Sequence, residues 1–382
     1  MIQEVWGKSV YDLATTANKH IENKNYKSAL FICTAVMEEM TAALQYADDS
    51  NGDIGGCIET AYESLCRMAK VELPGELRTT LFEYCLTSYQ SKLFYDWDWH
   101  LGMLILAGEL LENNEETDKV LLLLENFNDS EYSKEQAQRI KFEILMKTKG
   151  VNQAEKFLKE NISNPVFRRH AIATELENKN YVKAIELSQH GIQQDLKSKP
   201  GLAKEWYDWL LKIAQAQNDK ENIIKYARYL FMDNFRNEQD YYQLLKSNVA
   251  VETWNTFLEE IIKELKARKP YWDTSLVSQI FIKEEWWDRL LEVVQKNPKL
   301  QFIEEFEKYL SKDFAVELIG LYANAIISYM KENMGRNHYQ TACRYLRRMI
   351  KLGGRITADK IISDFRVQYP QRKALIEELN RV

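Results

Sequence analysis

The chain has 382 residues, of which only 14 are Gly and 6 are Pro, about 5% together against roughly 12% in average usage. So few turn-makers exclude a β-sandwich or propeller, which need punctuation every ten residues or so. Apolar residues at 45% and charged residues at 28% exclude global disorder. The net charge of −6 divides unevenly: residues 1–130 carry 9 Lys/Arg and 22 Asp/Glu, residues 131–330 carry 30 of each, and residues 331–382 carry 12 and 5.

Those stretches define an acidic N-terminal helical region (1–130), a central helical-repeat region (131–330) and basic C-terminal helices (331–382), the last continuous with the same array. The start, Met1-Ile-Gln-Glu-Val-Trp6, lacks the basic end and apolar stretch of a secretion signal. No apolar run reaches the roughly 18 residues of a membrane span; Leu101 to Leu111 is broken by a Glu, and Val120 to Leu124 is short. Cys33, Cys57, Cys66, Cys85 and Cys343 are odd in number and show no paired spacing. They predict free, buried thiols in a reducing compartment, hence a cytoplasmic location with no membrane partner.

Glu22-Asn-Lys-Asn-Tyr26 recurs as Glu177-Asn-Lys-Asn-Tyr181, and each copy has an Ala three residues after its Tyr, Ala29 and Ala184. Thr148-Lys-Gly-Val151 leads to Ala154 in the same way, and Arg336-Asn-His-Tyr339 leads to Ala342. Each reads as a polar turn, a residue opening a helix, and a small residue that lets a neighbouring helix approach. Pro165, Pro200 and Pro270 stand 35 and 70 residues apart, compatible with a unit of about 34 residues. Strand-like alternation is nowhere sustained, so the expected class is all-α. This Tyr-x-x-Ala pattern resembles the second half of a tetratricopeptide repeat, although the Trp and Leu-Gly of that repeat's first helix are missing. The resemblance implies stacked antiparallel helix pairs, a tetratricopeptide-like α-solenoid.

The loop Tyr46-Ala-Asp-Asp-Ser-Asn-Gly-Asp53 invites a calcium reading. With Gly52 at the sixth position of an EF-hand loop, Ala47 and Ile58 fall at the first and twelfth positions, and both ligands fail. A phosphate cradle at Gly52-Asp-Ile-Gly55-Gly56 would be repelled by Asp48, Asp49 and Asp53. The loop therefore reads as a cap on the next helix, with glycines supplying turn dihedrals.

Aromatic residues cluster further on. Tyr95-Asp96-Trp97-Asp98-Trp99-His100 is followed by Trp206-Tyr207-Asp208-Trp209, Tyr271-Trp272 and Trp286-Trp287. These rings either line a groove for a peptide or sugar, or fill the gaps between stacked helices with the Asp residues as caps. Trp97, Trp99, Trp206, Trp286 and Trp287 are the candidates for partner binding. The adjacent Trp286 and Trp287 cannot both face inward. His20, His100, His170, His190 and His338 match no H-E-x-x-H or finger spacing, so neither a metal nor another cofactor is expected. No G-x-S-x-G or kinase signature occurs, and no catalytic residue is assigned.

In the last region, Tyr339, Ala342, Tyr345, Leu346, Met349 and Ile350 form a core-facing stripe. Arg344, Arg347, Arg348 and Lys351 fall on the opposite side, a basic face extended by Arg355, Arg366, Arg372 and Lys373. Gly353-Gly354 is expected to stop the helix through a left-handed residue, Thr357 to cap the next, and Pro370 to end it. The acidic loop after Tyr46, together with Tyr339-x-x-Ala342-x-x-Tyr345-Leu346 and Tyr369-Pro-Gln-Arg-Lys-Ala-Leu375, resembles helical regions that accompany SWIM-type zinc fingers in bacterial proteins. The C-x-C and C-x-H pairs of the finger are absent, so the resemblance implies a helical interaction region without zinc chemistry.

Together these features predict a non-enzymatic helical-repeat scaffold that binds a peptide or partner helix in a groove. The alternative is a nucleic-acid-binding accessory factor that uses the basic C-terminal helices, working with a SWIM-type zinc finger.

Overall fold

The repeated Glu-Asn-Lys-Asn-Tyr motif is a repeated backbone turn. Lys24 and Lys179 are both left-handed at φ 59°. The next residue donates its N–H to the carbonyl five positions back, Asn25 to His20 and Asn180 to Glu175, both at 2.8 Å. This bond closes the preceding helix in a Schellman arrangement, and the same Asn begins the next helix, Tyr26–Leu44 or Tyr181–Asp195. Ala29 and Ala184, four residues after the Asn, are fully buried.

Three further turns that lead directly into a helix share this geometry but not its letters. Asn218 (φ 54°), Glu285 (φ 57°) and Gly353 (φ 94°) are left-handed. The following N–H groups, of Asp219, Trp286 and Gly354, reach back to Ala214, Phe281 and Met349 at 2.9, 2.8 and 2.9 Å. At the position equivalent to Ala29 stand Ile223, Leu290 and Ala358, again buried. Asn218, Glu285 and Gly353 are 67 and 68 residues apart, about two units of 34. Gly150 (φ 86°) opens Val151–Glu160 and buries Ala154 as expected.

The Arg336 segment has another register. Its helix opens at Arg336 behind Gly335 (φ 110°), so Tyr339 lies one turn inside it. Nor does Thr357 cap a helix: Arg355–Gln368 starts directly after Gly354, because the Gly353–Gly354 turn joins the two helices without a linker. That helix does end just before Pro370. Pro165 and Pro200 are the first residues of Pro165–Glu177 and Pro200–Gln217, where the missing N–H costs nothing.

The structure, a computed structural model, describes residues 12–13, 15–127, 130–233, 240–267 and 273–382. Met1 to Trp6, Pro270, Tyr271 and Trp272 lie outside that set. Helices joined by turns, bends and short irregular connections make up the described residues, with no strand among them. None of the described helices is long and apolar enough to cross a membrane.

The chain divides into two compact units, one through Trp209 and one from Leu210. The division coincides with neither charge boundary, since charge follows the surface and contacts follow the core. In the first unit Tyr26–Leu44 packs on Asp53–Ala69 and Gly75–Gln90, and Trp99–Glu109 on Asn114–Glu125 and Glu131–Thr148. In the second, Ala315–Glu332 packs on Leu300–Leu310, Arg336–Lys351 and Arg355–Gln368. Each helix chiefly meets those one or two places along in sequence, which is the quasi-one-dimensional packing of a helical repeat. Each unit is an α-solenoid of stacked antiparallel helix pairs.

The acidic loop is a cap. The Asp49 carboxylate accepts the N–H of Ile54 at 2.8 Å and of Gly55 at 2.9 Å, which satisfies the exposed donors at the start of Asp53–Ala69. Of the three glycines, Gly52 (φ 75°) supplies the left-handed turn, while Gly55 and Gly56 are already helical.

Arg78 ties three elements of the first unit together. Its guanidinium donates to the Leu110 carbonyl at 2.9 and 2.5 Å, closing the end of Trp99–Glu109. It also forms a bidentate pair with Glu116, with one arm at 2.7 Å. Glu116 in turn accepts the Glu112 N–H at 3.0 Å. Burial pushes the Glu116 carboxyl up, but the Arg78 bonds and the Glu112 N–H outweigh it and hold it below the ordinary carboxylate value.

All five cysteines are free; four are buried and Cys66 is half-buried. Burial pushes the Cys33 thiol up to about 12 and that of Cys343 up to about 11, and raises the other three as well. Only the thiolate reacts. A thiol reagent at pH 8 is therefore expected to label far less than one equivalent of folded protein and all five cysteines after denaturation. Fast labelling of the native protein would contradict this packing.

Candidate partner-binding cleft

Gly75–Gln90 is closed by Lys92, another left-handed residue (φ 58°) just beyond its C-cap, with the Leu93 N–H returning to Ser88 at 3.0 Å. Phe94, fully buried, anchors the chain just beyond. Tight turns follow, with the Tyr95 N–H bonded to Lys92 at 3.2 Å and the Trp97 N–H to Phe94 at 3.0 Å. They leave Tyr95 (39% exposed) and Trp97 (43%) on the surface beside exposed Asp96 and Asp98. Asp98 occupies the N-cap position of Trp99–Glu109 without a side-chain capping bond. The expected capping role is not used there.

These residues form one wall of a cleft of about 590 Å³, within the roughly 300–1,000 Å³ of ligand-sized pockets. The first turns of Glu131–Thr148 supply the other wall, including Tyr132 (68% exposed), Gln136 and Arg139. His100 lines the cleft from within, buried and stacked on Tyr89 with ring centroids 4.4 Å apart. Trp99 packs beside Trp97 at 5.7 Å and donates its indole N–H to Glu59 at 2.9 Å.

The sequence draws attention to Trp97 and Trp99, but not to Tyr132, Phe127 or Arg139, which reach the cleft from more than twenty residues away. No periodic signal marks them. An aromatic residue on the polar first turn of a helix is the single hint.

Trp206 is no surface residue, and its candidacy as a partner-binding ring is corrected. It is fully buried and donates its indole N–H to Asp195 at 2.7 Å. Asp195 also faces Arg168, at 3.4 Å, and both side chains are buried. The Arg168 guanidinium lies 5.3 Å from the Trp206 ring and donates to Gln194 at 2.8 Å. Gly191 makes room for the indole: a Cβ there would come within 2.8 Å of the ring. The Trp206 ring thus fills a gap between helices.

In the second unit Trp286 and Trp287 are both half-buried. Trp286 lies under the Arg289 guanidinium at 4.7 Å, and Trp287 stacks on Tyr309 at 6.1 Å. Neither projects freely.

The basic face is largely engaged within the chain. Arg344 and Arg348 both donate to Glu304, at 2.7 and 2.8 Å, and Arg348 also to Glu307 at 2.9 and 3.2 Å. The bond to Glu307 raises Arg348 further above its ordinary value. Tyr345 and Tyr322 donate their hydroxyls to the same two carboxylates, at 2.7 and 2.6 Å. Arg355 pairs with Asp359 at 3.1 Å, and Arg347 donates to the Arg381 carbonyl at 3.3 Å. Arg347 and Lys351 stay on the exposed side. Among the described residues no three His, Cys, Asp or Glu side chains converge in a way that could hold a metal ion.

No family model matches the chain, and no curated protein does. A solved structure described as a circular tandem repeat protein with novel repeat topology and enhanced subunit contact surfaces is similar over 99% of this chain and 92% of its own. The identity is 14% and the TM-score 0.19. The repeat character rests on the turns and helix packing of this chain.

Proposed function

We propose that the chain is a non-enzymatic, cytoplasmic helical-repeat scaffold that captures a segment of a partner protein in the cleft between Tyr95 and Arg139. The observation that supports this reading is the convergence of exposed Tyr95, Trp97 and Tyr132 on one concave surface. Large, rigid rings of this kind dominate binding energy at protein interfaces. The tetratricopeptide-like turns and the resemblance to helical regions beside SWIM zinc fingers belong to the same reading, in which the helices present a partner and the finger is supplied elsewhere. The basic face supports the nucleic-acid alternative poorly, because Arg344, Arg348 and Arg355 already bond to carboxylates of this chain.

Selection of random peptides displayed on phage against the intact protein tests the proposal. Enriched peptides are expected to protect Trp97 and Tyr132 from surface oxidation and to leave Trp206 unchanged. A failure to enrich any sequence, or binders that protect neither ring, would overturn it.

A further inference from the structure

Three exposed rings meet at the cleft, and the charges around them decide what suits the rings. Asp96 and Asp98 stand exposed on the rim between Tyr95, Trp97 and the first turn of Trp99–Glu109. The cation among the lining residues is Arg139, which points along its own helix toward Glu143 at 4.0 Å. Residues 1–130, from which the Tyr95–Asp98 wall comes, are acidic overall, with 22 Asp/Glu against 9 Lys/Arg, whereas the Glu131–Thr148 wall is nearly balanced. An anionic ligand would meet the Asp96 and Asp98 carboxylates, while Arg139 faces Glu143 and Lys92 stands over the Tyr95 ring.

The faces of Trp and Tyr rings carry negative potential and attract ammonium and guanidinium groups. One ring of the cleft already shows this: the Lys92 ammonium lies 4.7 Å from the centroid of Tyr95. Trp97 and Tyr132 are the more open rings on either side.

We infer that the cleft takes a Lys- or Arg-bearing segment of the partner protein, with the cationic side chain over the Trp97 and Tyr132 rings and Asp96 and Asp98 as its counter-charges. The inference rests on the reading of the cleft as a partner-binding site and names the chemistry of the partner. The long aliphatic stem of Lys or Arg would lie against Leu101 and Ile105, which also line the cleft. Such recognition selects against acidic segments and loses strength with salt.

The test uses the intact protein with its nine tryptophans replaced by 5-fluorotryptophan and observed by fluorine NMR. Trp97→Phe and Trp286→Phe assign two of the signals by their loss. Two short synthetic peptides are titrated in turn, one alternating Lys and Leu, the other alternating Glu and Leu. The Lys peptide is expected to move the Trp97 signal and leave the Trp286 signal in place. Asp96→Asn with Asp98→Asn, both exposed positions, is expected to weaken that binding roughly five-fold. If the Glu peptide moves Trp97 as well as or better than the Lys peptide, the cationic preference is overturned while the cleft remains a peptide site. If neither peptide moves Trp97, or if Trp286 moves with it, both the preference and the site are overturned.

Discussion

Replacing Asp195 with Ala is expected to destabilise the first unit by about 3–5 kcal/mol, because it strands a buried guanidinium. The Arg168 side chain is fully buried, and Asp195 is its acidic partner, at 3.4 Å. The same substitution removes the acceptor for the Trp206 indole N–H. Urea denaturation followed by circular dichroism reads the loss, and a thermal scan is expected to show a fall in melting temperature on the order of 10 °C. Asp195→Asn keeps an acceptor for the indole but not the charge, so the difference between the two variants separates the hydrogen bond from the ion pair. Combining Asp195→Leu with Arg168→Met removes both partners and should recover much of the loss, since apolar replacement of a buried pair is often neutral. Unchanged stability in Asp195→Ala would mean that the guanidinium finds water, which is incompatible with its burial.

Arg78→Ala is the second large effect, expected near 3 kcal/mol at neutral pH. It leaves the Leu110 carbonyl without its donor and Glu116 without its counter-charge. Glu116 titrates below its ordinary value in the folded chain. A depressed carboxyl contributes stability that is full above the unfolded value of about 4.3 and is lost as pH falls through the folded value. The gap between wild type and Arg78→Ala should therefore be largest above pH 5 and narrow on acidification below about pH 4. Denaturant midpoints measured at intervals between pH 7 and pH 3 test this. A gap that stays constant would show that the Leu110 contact alone carries the effect.

Much of the fold was legible in the sequence, because helical spacing and scarce Gly and Pro report directly on local backbone preference. The Lys24 and Lys179 turns could be found by their identical letters. The Asn218, Glu285 and Gly353 turns could not, although their backbones match, because a Schellman closure is made by main-chain N–H and C=O groups and demands no particular side chain. Thr357 illustrates the converse: a residue of good capping chemistry stands unused because Gly354 already begins the helix.

The site was legible only in part. Trp97 announced itself in an alternating Trp and Asp run, whereas Tyr132 joined it through packing between helices that are not neighbours in sequence. Trp206 had a similar aromatic setting but lies in the core, because Asp195 and Gly191 on the preceding helix accept its N–H and its ring. The basic stripe from Arg344 was visible as charge. Its partners Glu304 and Glu307 belong to a helix some forty residues earlier, and a sequence period cannot connect them.

The central claim is that the cleft beside Trp97 binds a partner segment. Its most direct measurement is the affinity of one selected peptide for wild type and for Trp97→Ala, with the melting temperature of each protein recorded alongside. A loss of about 2 kcal/mol, roughly thirty-fold, is predicted for an interface anchor, with melting unchanged because the ring is 43% exposed. Equal affinity for the two proteins would contradict the claim.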